Sequence, residues 1–306
     1  MRNVDETEIK ASVIVPVKGR SRSLKRCISS ILDQTVLDYN VLIIDGSNSG
    51  SARKVVRMFQ RKDPRVKYLR EEFFSTGDLI NRGIMVSDGD IIIMTKPDCE
   101  VPRDWISRMI KPLSKSSKVV QGGIAVSSGK FWSQMDSRST SRFMDRLSEG
   151  NFIDHLDTRN MAARREALID AGMFDRYVRG LEGLDIELKL KRYGHQVRYL
   201  ADVKVFQNID ESLNDLFWGW VERGRWMLFI YSMQKKNDPV KELRVFDALK
   251  FRNLLLFYPS LLLLLVTKGP KTFISELVSG TALRMGVLIG HIRKDRFLRS
   301  IRTKYY

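Results

Sequence analysis

Gly89–Trp105, GDIIIMTKPDCEVPRDW, joins a buried strand directly to a pair of acids, and the fold class follows from what such a strand requires. Ile91 to Thr95 are apolar or β-branched without alternation, the pattern of a strand covered on both faces. The run stops at Lys96 and gives way to Pro97, Asp98, Cys99 and Glu100. Pro102 then opens a helical pattern that puts Trp105, Ile106, Met109, Ile110 and Leu113 on one face. In an open α/β sheet ligands bind beyond the carboxyl ends of the strands, so acids at this point are placed to hold a metal or a phosphate-bearing ligand. The plainer alternative is an acidic turn that starts a helix.

Upstream, the same alternation repeats. Ser12 to Val17 is an apolar strand broken at Lys18-Gly19, and the next helix carries Leu24, Cys27, Ile28, Ile31 and Leu32 inward. Val41 to Ile44 ends in Asp45-Gly46-Ser47-Asn48-Ser49-Gly50-Ser51, a turn-rich loop before a helix with Val55, Val56 and Phe59. Val66 to Leu69 predicts a short strand and Asp78 to Val86 a helix. Strands alternating with helices imply right-handed βαβ units and a mostly parallel sheet, whose loops share one edge and bring Lys18, Asp45 and Asp98 to one crevice. The first loop has no GxGxxG, and no GxxxxGK[ST] occurs, which excludes the standard dinucleotide and P-loop readings.

After Gly122-Gly123 the alternation weakens. Ser127 to His155 is polar and rich in Ser and Arg, a long loop with short helices suited to covering a site. NMAARREALIDAGMFD, from Asn160, predicts a helix with Ala167, Leu168 and Ala171 inward and a stop at Gly172. Glu182-Gly183-Leu184-Asp185 leads into another helix that ends at Gly194; an acid at such a start can be an N-cap alone, worth about 1 kcal/mol.

Composition narrows the classes further. The 53 Lys and Arg against 36 Asp and Glu leave a formal +17, a surface that attracts polyanions: nucleic acid, anionic lipid or phosphorylated substrates. Cys27 and Cys99 stand alone, without CxxC or a Cys/His cluster, which argues against structural zinc and a disulfide scaffold and for a reducing compartment. The polar N-terminus MRNVDETEIK lacks a signal-peptide core, so the catalytic part is expected in the cytosol. No nucleic-acid-binding motif accompanies the basic residues, and no nucleic-acid partner is expected.

Taken together, these segments resemble the inverting nucleotide-sugar glycosyltransferases of family 2, with the GT-A fold. SVIVPVKGR resembles the family's opening strand and loop, and IIDGSNSGS its nucleobase-binding acid and turn. GDLINRGIMVSDGDIIIMTKPDCEVP resembles the approach to its metal-binding Asp-x-Asp, NMAARREALIDAGMFD its acceptor side, LDIELKLKRYG the helix that begins with its base, and GRW at Gly224–Trp226 its closing Arg-Trp element. The resemblance implies an α/β, Rossmann-like, mostly parallel mixed sheet with flanking helices. It implies donor binding by Pro16, Val17, Lys18, Asp45, Asn81, Lys96, Asp98, Arg225 and Trp226, acceptor contacts by Arg164, Glu182 and Leu184, and Asp185 as general base. It further implies Mg²⁺ or Mn²⁺ on Asp98, with Glu100 as a substitute ligand. Three positions depart from the pattern: Lys96 stands where the first acid of Asp-x-Asp is usual, Leu184 where an acid precedes the base, and Gln207 where a His is frequent. An idle relative serving as a membrane-bound partner subunit is the alternative these departures motivate.

The composition changes again from Phe251. Leu254 to Val266 is nearly all apolar but 13 residues long with Pro259 inside, shorter than the ~20 residues of an ordinary span. Phe273 to Ile292 is a second apolar stretch in which Gly280, Gly286 and Gly290 permit close helix contact. Lys241, Arg244, Lys250 and Arg252 precede the pair, Lys268 and Lys271 separate it, and Arg293, Lys294, Arg296, Arg299, Arg302 and Lys304 follow it. Apolar wedges fringed with cations fit an anionic membrane surface on the cytoplasmic side, peripheral or shallowly inserted, and make a lipid-linked acceptor the economical expectation. Packing on the catalytic domain, oligomerisation through these helices, and two full spans are the alternatives. The expected division is a catalytic domain at 1–230, with a nucleotide half to about 122 and an acceptor half from about 123, followed by a membrane-associating region at 231–306.

Overall fold

Ile91–Met94 (β4) lies inside a sheet, fully buried, as its unbroken apolar run requires. The computed structural model describes residues 10–19, 23–47, 50–72, 75–114, 117–128, 148–208, 212–233 and 251–305, and residues 134, 144 and 147; within these, the side chains of 251–256, 260, 264, 268 and 293–305 are not described. The chain divides into two units, residues 1–128 with 148–209, and residues 129–147 with 210–306.

In the first unit, β1 (Ala11–Val17) runs parallel to β4 on one side and to β2 (Tyr39–Asp45) on the other, and β2 runs parallel to β3 (Val66–Arg70). Alternate residues of β1 serve two layers. Val13, Val15 and Val17 join the cluster with Leu24, Cys27, Ile28 and Ile31 of α1 (Leu24–Leu32), whereas Ile14 lies against Gly83 of α3 (Thr76–Val86). A β-carbon on Gly83 would sit 2.8 Å from Ile14 Cγ2, so the missing side chain sets how closely α3 approaches. α2 (Ser51–Gln60) and α4 (Trp105–Ile110) complete the helical cover.

Beyond β4 the sheet is mixed. The order is β3-β2-β1-β4-β9-β6-β10-β8-β7, with β5 (Cys99–Glu100) paired to β10 (Val197–Asn208); β6 is Val119–Ser128, β7 Ser148–Glu149, β8 Phe152–Ile153 and β9 Met161–Arg164. β9 is antiparallel to both its neighbours, β4 and β6. This corrects the helix expected from Asn160: the helix, α5, covers only Arg165–Asp170. Met, Ala and Arg favour helix by only a few tenths of a kcal/mol each. A slot between two strands offers Met161–Ala163 full burial and ladder hydrogen bonds on both sides, and that outweighs the preference. α6 (Glu182–Arg192) follows as expected.

The second unit contains α7 (Leu213–Met233), α8 (Phe251–Lys268) and α9 (Pro270–Tyr305). α7 and α9 cross in backbone contact. A β-carbon on Gly224 would lie 2.0 Å from the Leu283 carbonyl oxygen, and one on Gly286 would lie 1.9 Å from that of Val221. Gly280 faces the Phe257 ring and Gly290 meets Leu228, so the three glycines expected to admit close contact all do so. Pro259 is accommodated within α8. Residues 270–292 of α9 are long and apolar enough to cross a membrane. Of Ser127 to His155, expected as a long loop with short helices, residues 129–147 fall almost wholly outside the described residues, as do Lys241, Arg244 and Lys250, and the short strands β7 and β8 stand in the rest.

Candidate active site

The carboxyl ends of β1 and β2 run on together to the pair Val17 and Asp45, while β4 parts from β1 after Ile14 and Met94. This divergence opens the sheet edge next to Pro16, Val17 and Lys18. Pro16, which has no N–H to give, comes after the last β1–β4 pair, where a missing donor is tolerated. Pro16 and Val17 are buried and Lys18 is exposed.

Asp45 is fully buried, and both its oxygens are engaged. Oδ1 accepts from the Ser47 N–H at 2.8 Å, an Asx-type turn, and Oδ2 accepts from the Tyr68 hydroxyl at 2.7 Å. Burial and that hydrogen bond push the Tyr68 hydroxyl up to about 12. Tyr68 was not visible in the sequence as a site residue; it pairs with Ile43, two positions before Asp45, and therefore shares its face. Among the described residues the Ser47 and Thr95 hydroxyls are buried without a hydrogen-bond partner, one just past the end of β2 and one just past the end of β4. Orphaned buried hydroxyls at a sheet edge are groups a ligand can satisfy.

Asp98 lies in the turn after β4. Its Oδ2 accepts from Gln207 Nε2 at 2.8 Å, Gln207 Oε1 accepts from Arg159 Nη1 at 2.7 Å, and Arg159 forks onto Asp157 at 3.0 and 2.6 Å. Burial alone would raise the Asp157 carboxyl; the Arg159 guanidinium, with Lys96 and His155 adding to it, overcomes this and holds it far below the ordinary carboxylate range. Asp157 and Arg159 were missed in the sequence. The polar cluster Asp157-Thr158-Arg159-Asn160, abutting a short apolar run, is the mirror of Lys96-Pro97-Asp98 after β4 and could have drawn attention to them. The acceptor role expected of Arg164 is corrected by its position: antiparallel pairing sets Met161 against Met94 and Arg164 against Ile91, which carries Arg164 to the opposite edge of the sheet.

A divalent cation asks for several hard oxygen ligands, carboxylates foremost. Among the described residues no three His, Cys, Asp or Glu side chains converge. Glu100 is directed to Asn208 Nδ2 at 2.6 Å and to Arg26 at 3.2 Å. Asp157 is closed by the Arg159 fork, which leaves Asp98 as the one carboxylate without a cation on it, faced by a carboxamide N–H and with the lysine two residues before it. This donor set does not fit a divalent cation.

Asp185 stands in the first turn of α6, 8% exposed. Its Oδ2 accepts from the Asp175 N–H at 2.6 Å and from Lys189 Nζ at 2.9 Å, and Oδ1 accepts no hydrogen bond among the described residues. Burial raises its pKa against the opposing pull of Lys189. The carboxylate is thus oriented through one oxygen and made more basic than an exposed Asp, with the other oxygen left for a proton. Gly183 seats this helix start on the preceding loop: a β-carbon there would be 1.9 Å from the Leu156 carbonyl oxygen. Leu156 adjoins Asp157, so one backbone contact links the head of α6 to the Arg159–Gln207–Asp98 chain. Leu184 is buried, and the buried Glu182 accepts from the Gly180 N–H at 3.1 Å.

Three predicted donor residues are engaged differently. Asn81 clamps the loop before α6, accepting from the Phe174 N–H at 3.0 Å and donating to its carbonyl at 2.8 Å, so its carboxamide is taken up by the backbone. In the second unit Arg225 and Trp226 both bind Glu222, at 2.7 and 3.0 Å, and Trp226 is buried edge-on to Phe229.

Glu187, two residues on from Asp185 and so on the other side of the helix, is fully buried. It accepts from the Leu156 N–H at 3.2 Å and pairs with Lys191, which also holds Asp154 at 2.6 Å. Burial pushes its carboxyl up to about 7 despite Lys191. Because the folded state holds this proton more tightly than the unfolded chain, its contribution to stability is complete below pH 4.5 and declines up to about pH 7. Glu187→Gln is therefore expected to stabilise the protein at pH 8 by roughly 2 kcal/mol, with the gain vanishing near pH 4. Denaturant melts at both pH values check this; an equal effect at both would refute it.

A family model described as glycosyl transferase family 2 matches residues 12–172, more than half of the chain. The GalNAc(5)-diNAcBac-PP-undecaprenol beta-1,3-glucosyltransferase of Campylobacter jejuni is 26% identical over 119 residues, 38% of either chain. Glycosyltransferase GlyA of Streptococcus pneumoniae is 22% identical over 134 residues, 44% of this chain and 18% of that one. The alignments therefore span well under half the length of these relatives. Among solved structures, mannosyltransferase PcManGT from Pyrobaculum calidifontis, in complex with GDP-Man and Mn²⁺, superposes with a TM-score of 0.67 at 15% identity, covering 92% of this chain and 86% of that chain. GalNAc-T7 with UDP, GalNAc and Mn²⁺ gives 0.54 at 16% identity, covering 78% and 55%. At these identities the likeness establishes the GT-A fold.

Proposed function

The chain belongs to glycosyl transferase family 2, and on that premise we propose that it moves a sugar from a UDP- or GDP-linked donor to a hydroxyl of a lipid-linked acceptor, with inversion, at the cytoplasmic face of a membrane. The observation that carries this is Asp185: a buried carboxylate oriented through one oxygen, open at the other, on a helix whose start is seated on the loop leading to Arg159, Gln207 and Asp98. The acceptor oxygen attacks the anomeric carbon and gives its proton to Asp185, and the bond from that carbon to the diphosphate oxygen breaks on the opposite side. Attack from one face with departure from the other inverts the centre. Asp45, with Ser47 and Tyr68 around it, is proposed as the end of the site that meets the nucleobase, and the orphaned Ser47 hydroxyl supports this.

Support for the membrane comes from the second unit. Leu262, Leu263 and Val266 of α8 and Leu288 and Ile292 of α9 are exposed, an apolar surface that water disfavours. The basic residues flanking these helices would add attraction to anionic headgroups. The test is turnover of UDP- and GDP-sugars on a polyprenyl-diphosphate-linked glycan presented in anionic or in neutral vesicles, with the product anomer read by NMR. Transfer with inverted configuration, faster on anionic vesicles, is expected. A retained configuration would overturn the mechanism, indifference to lipid charge the membrane assignment, and absence of transfer from every donor the activity itself.

A further inference from the structure

We propose, resting on the nucleotide-sugar reading above, that this site meets part of the donor's diphosphate charge with the Lys96 ammonium, in the place a divalent cation would take, and needs no divalent cation. The charges at the edge support it. Asp98 and Asp157 bring two negative charges and Lys96 and Arg159 two positive ones, so the cluster is already balanced by its own side chains. A site built to recruit a dication keeps carboxylates in excess; here the acid of the turn is tied to Gln207, and Glu100 is drawn off to Asn208 and Arg26.

Lys96 is suited to the work. It is half-exposed and has no carboxylate within ion-pair distance among the described residues, so its charge is available to an incoming anion. Its field nevertheless reaches into the cluster, where it helps to hold Asp157 ionised. Arg159 is committed: its fork is closed on Asp157, and its third contact fixes the Gln207 carboxamide, whose N–H orients Asp98. The arrangement separates a cation closed on a carboxylate, Arg159, from a half-exposed one, Lys96, with Thr95 between Lys96 and the sheet offering a buried hydroxyl that has no hydrogen-bond partner among the described residues. A lysine at the end of a flexible stem serves as a point charge for phosphate oxygens. When the anomeric carbon–oxygen bond breaks, its electron pair stays on the β-phosphate oxygen, the acceptor's proton stays on Asp185, and the added negative charge on the leaving nucleoside diphosphate is met by Lys96.

The experiment is calorimetric titration of UDP and GDP into the full-length chain with Mn²⁺ and with EDTA, for wild type, Lys96→Ala and Lys96→Asp. Wild-type affinity for the preferred nucleotide is expected to agree within about threefold in the two conditions. Lys96→Ala should weaken binding by roughly 10- to 100-fold in both. Lys96→Asp, which supplies the second carboxylate, should bind weakly in EDTA and recover with Mn²⁺. Wild-type binding that collapses in EDTA overturns the proposal and leaves the nucleotide-sugar reading intact. Unchanged binding by Lys96→Ala, with the fold verified by its thermal melt, also overturns it. No binding of either nucleotide in any condition overturns the reading on which it rests.

Discussion

Asp185→Asn is expected to lower sugar transfer by about 10²- to 10⁴-fold while leaving nucleotide affinity unchanged. The asparagine has nearly the shape of the carboxylate and can still accept from the Asp175 N–H, so the helix start stays in place. What disappears is the capacity to take a proton. A carboxylate that served only to cap the helix would lose about 1 kcal/mol of stability on substitution and little turnover; activity within tenfold of wild type would therefore refute the base assignment. The pH profile supplies a second readout. The base must be ionised to act, so the rate rises with pH through its pKa, and because burial raises that pKa the acid limb should lie above that of an ordinary aspartate. Nucleotide binding should not follow this limb.

Asn160→Ala is expected to cost about 3–5 kcal/mol of stability. Asn160 is fully buried at the start of β9 and joins three elements at once. Its Oδ1 accepts from Trp105 Nε1 of α4 at 2.8 Å, and its Nδ2 donates to the carbonyls of Gly123 in β6 at 2.7 Å and Val203 in β10 at 2.8 Å. Alanine strands one indole donor and two carbonyls with no water to replace the partner. Gly122 lies so close that a β-carbon on it would come within 2.2 Å of Nδ2, which shows how tightly the carboxamide is enclosed. Asn160→Asp is a sharper variant, since it turns an oxygen toward the two carbonyls. Equilibrium urea denaturation measures the loss, and a change under 1 kcal/mol in either variant would show that the network is dispensable. Nucleotide affinity per folded molecule should survive, because among the described residues the Asn160 side chain hydrogen-bonds to Trp105, Gly123 and Val203 and not to Asp45, Asp98 or Lys96.

Much of the first unit was legible because its periodicities are strong and local. The four strands from Ala11 to Met94 and the helices between them carry unbroken apolar runs or single apolar faces, and β1–β4 stand where those patterns put them. The positions of Asp98 and Asp185 were legible, an acid after a buried strand and an acid at a helix start. β9 was not, since Met161–Arg164 forms a strand through partners on both sides that lie tens of residues away, and nothing in four residues reports a slot. Arg164 therefore reads in the sequence as a site residue although it lies at the far edge, because a few residues along a strand of unknown direction is the difference between the two edges of a sheet. The Gln207–Asp98 bond joins residues 109 positions apart and depends on β5 folding back onto β10, a pairing two residues long. In Gly224-Arg225-Trp226 the glycine's role in helix crossing appears only when α9 is set against it.

The antiparallel β9 also governs the order in which the chain can be completed. β1 to β4 are contiguous in sequence and can assemble as soon as residue 94 is available, but they then present β4 as a bare edge of four buried apolar residues. Met161–Arg164 closes that edge, and β6 and β10 join the rest of the sheet through it. During synthesis at ~5–20 residues per second, roughly 70 further residues must emerge before the closure, an interval of several seconds. For that time the nascent protein carries a sticky, unpaired strand of the kind that recruits other chains. β9 is thus the bolt of the sheet, the segment whose arrival ends the exposure of that edge.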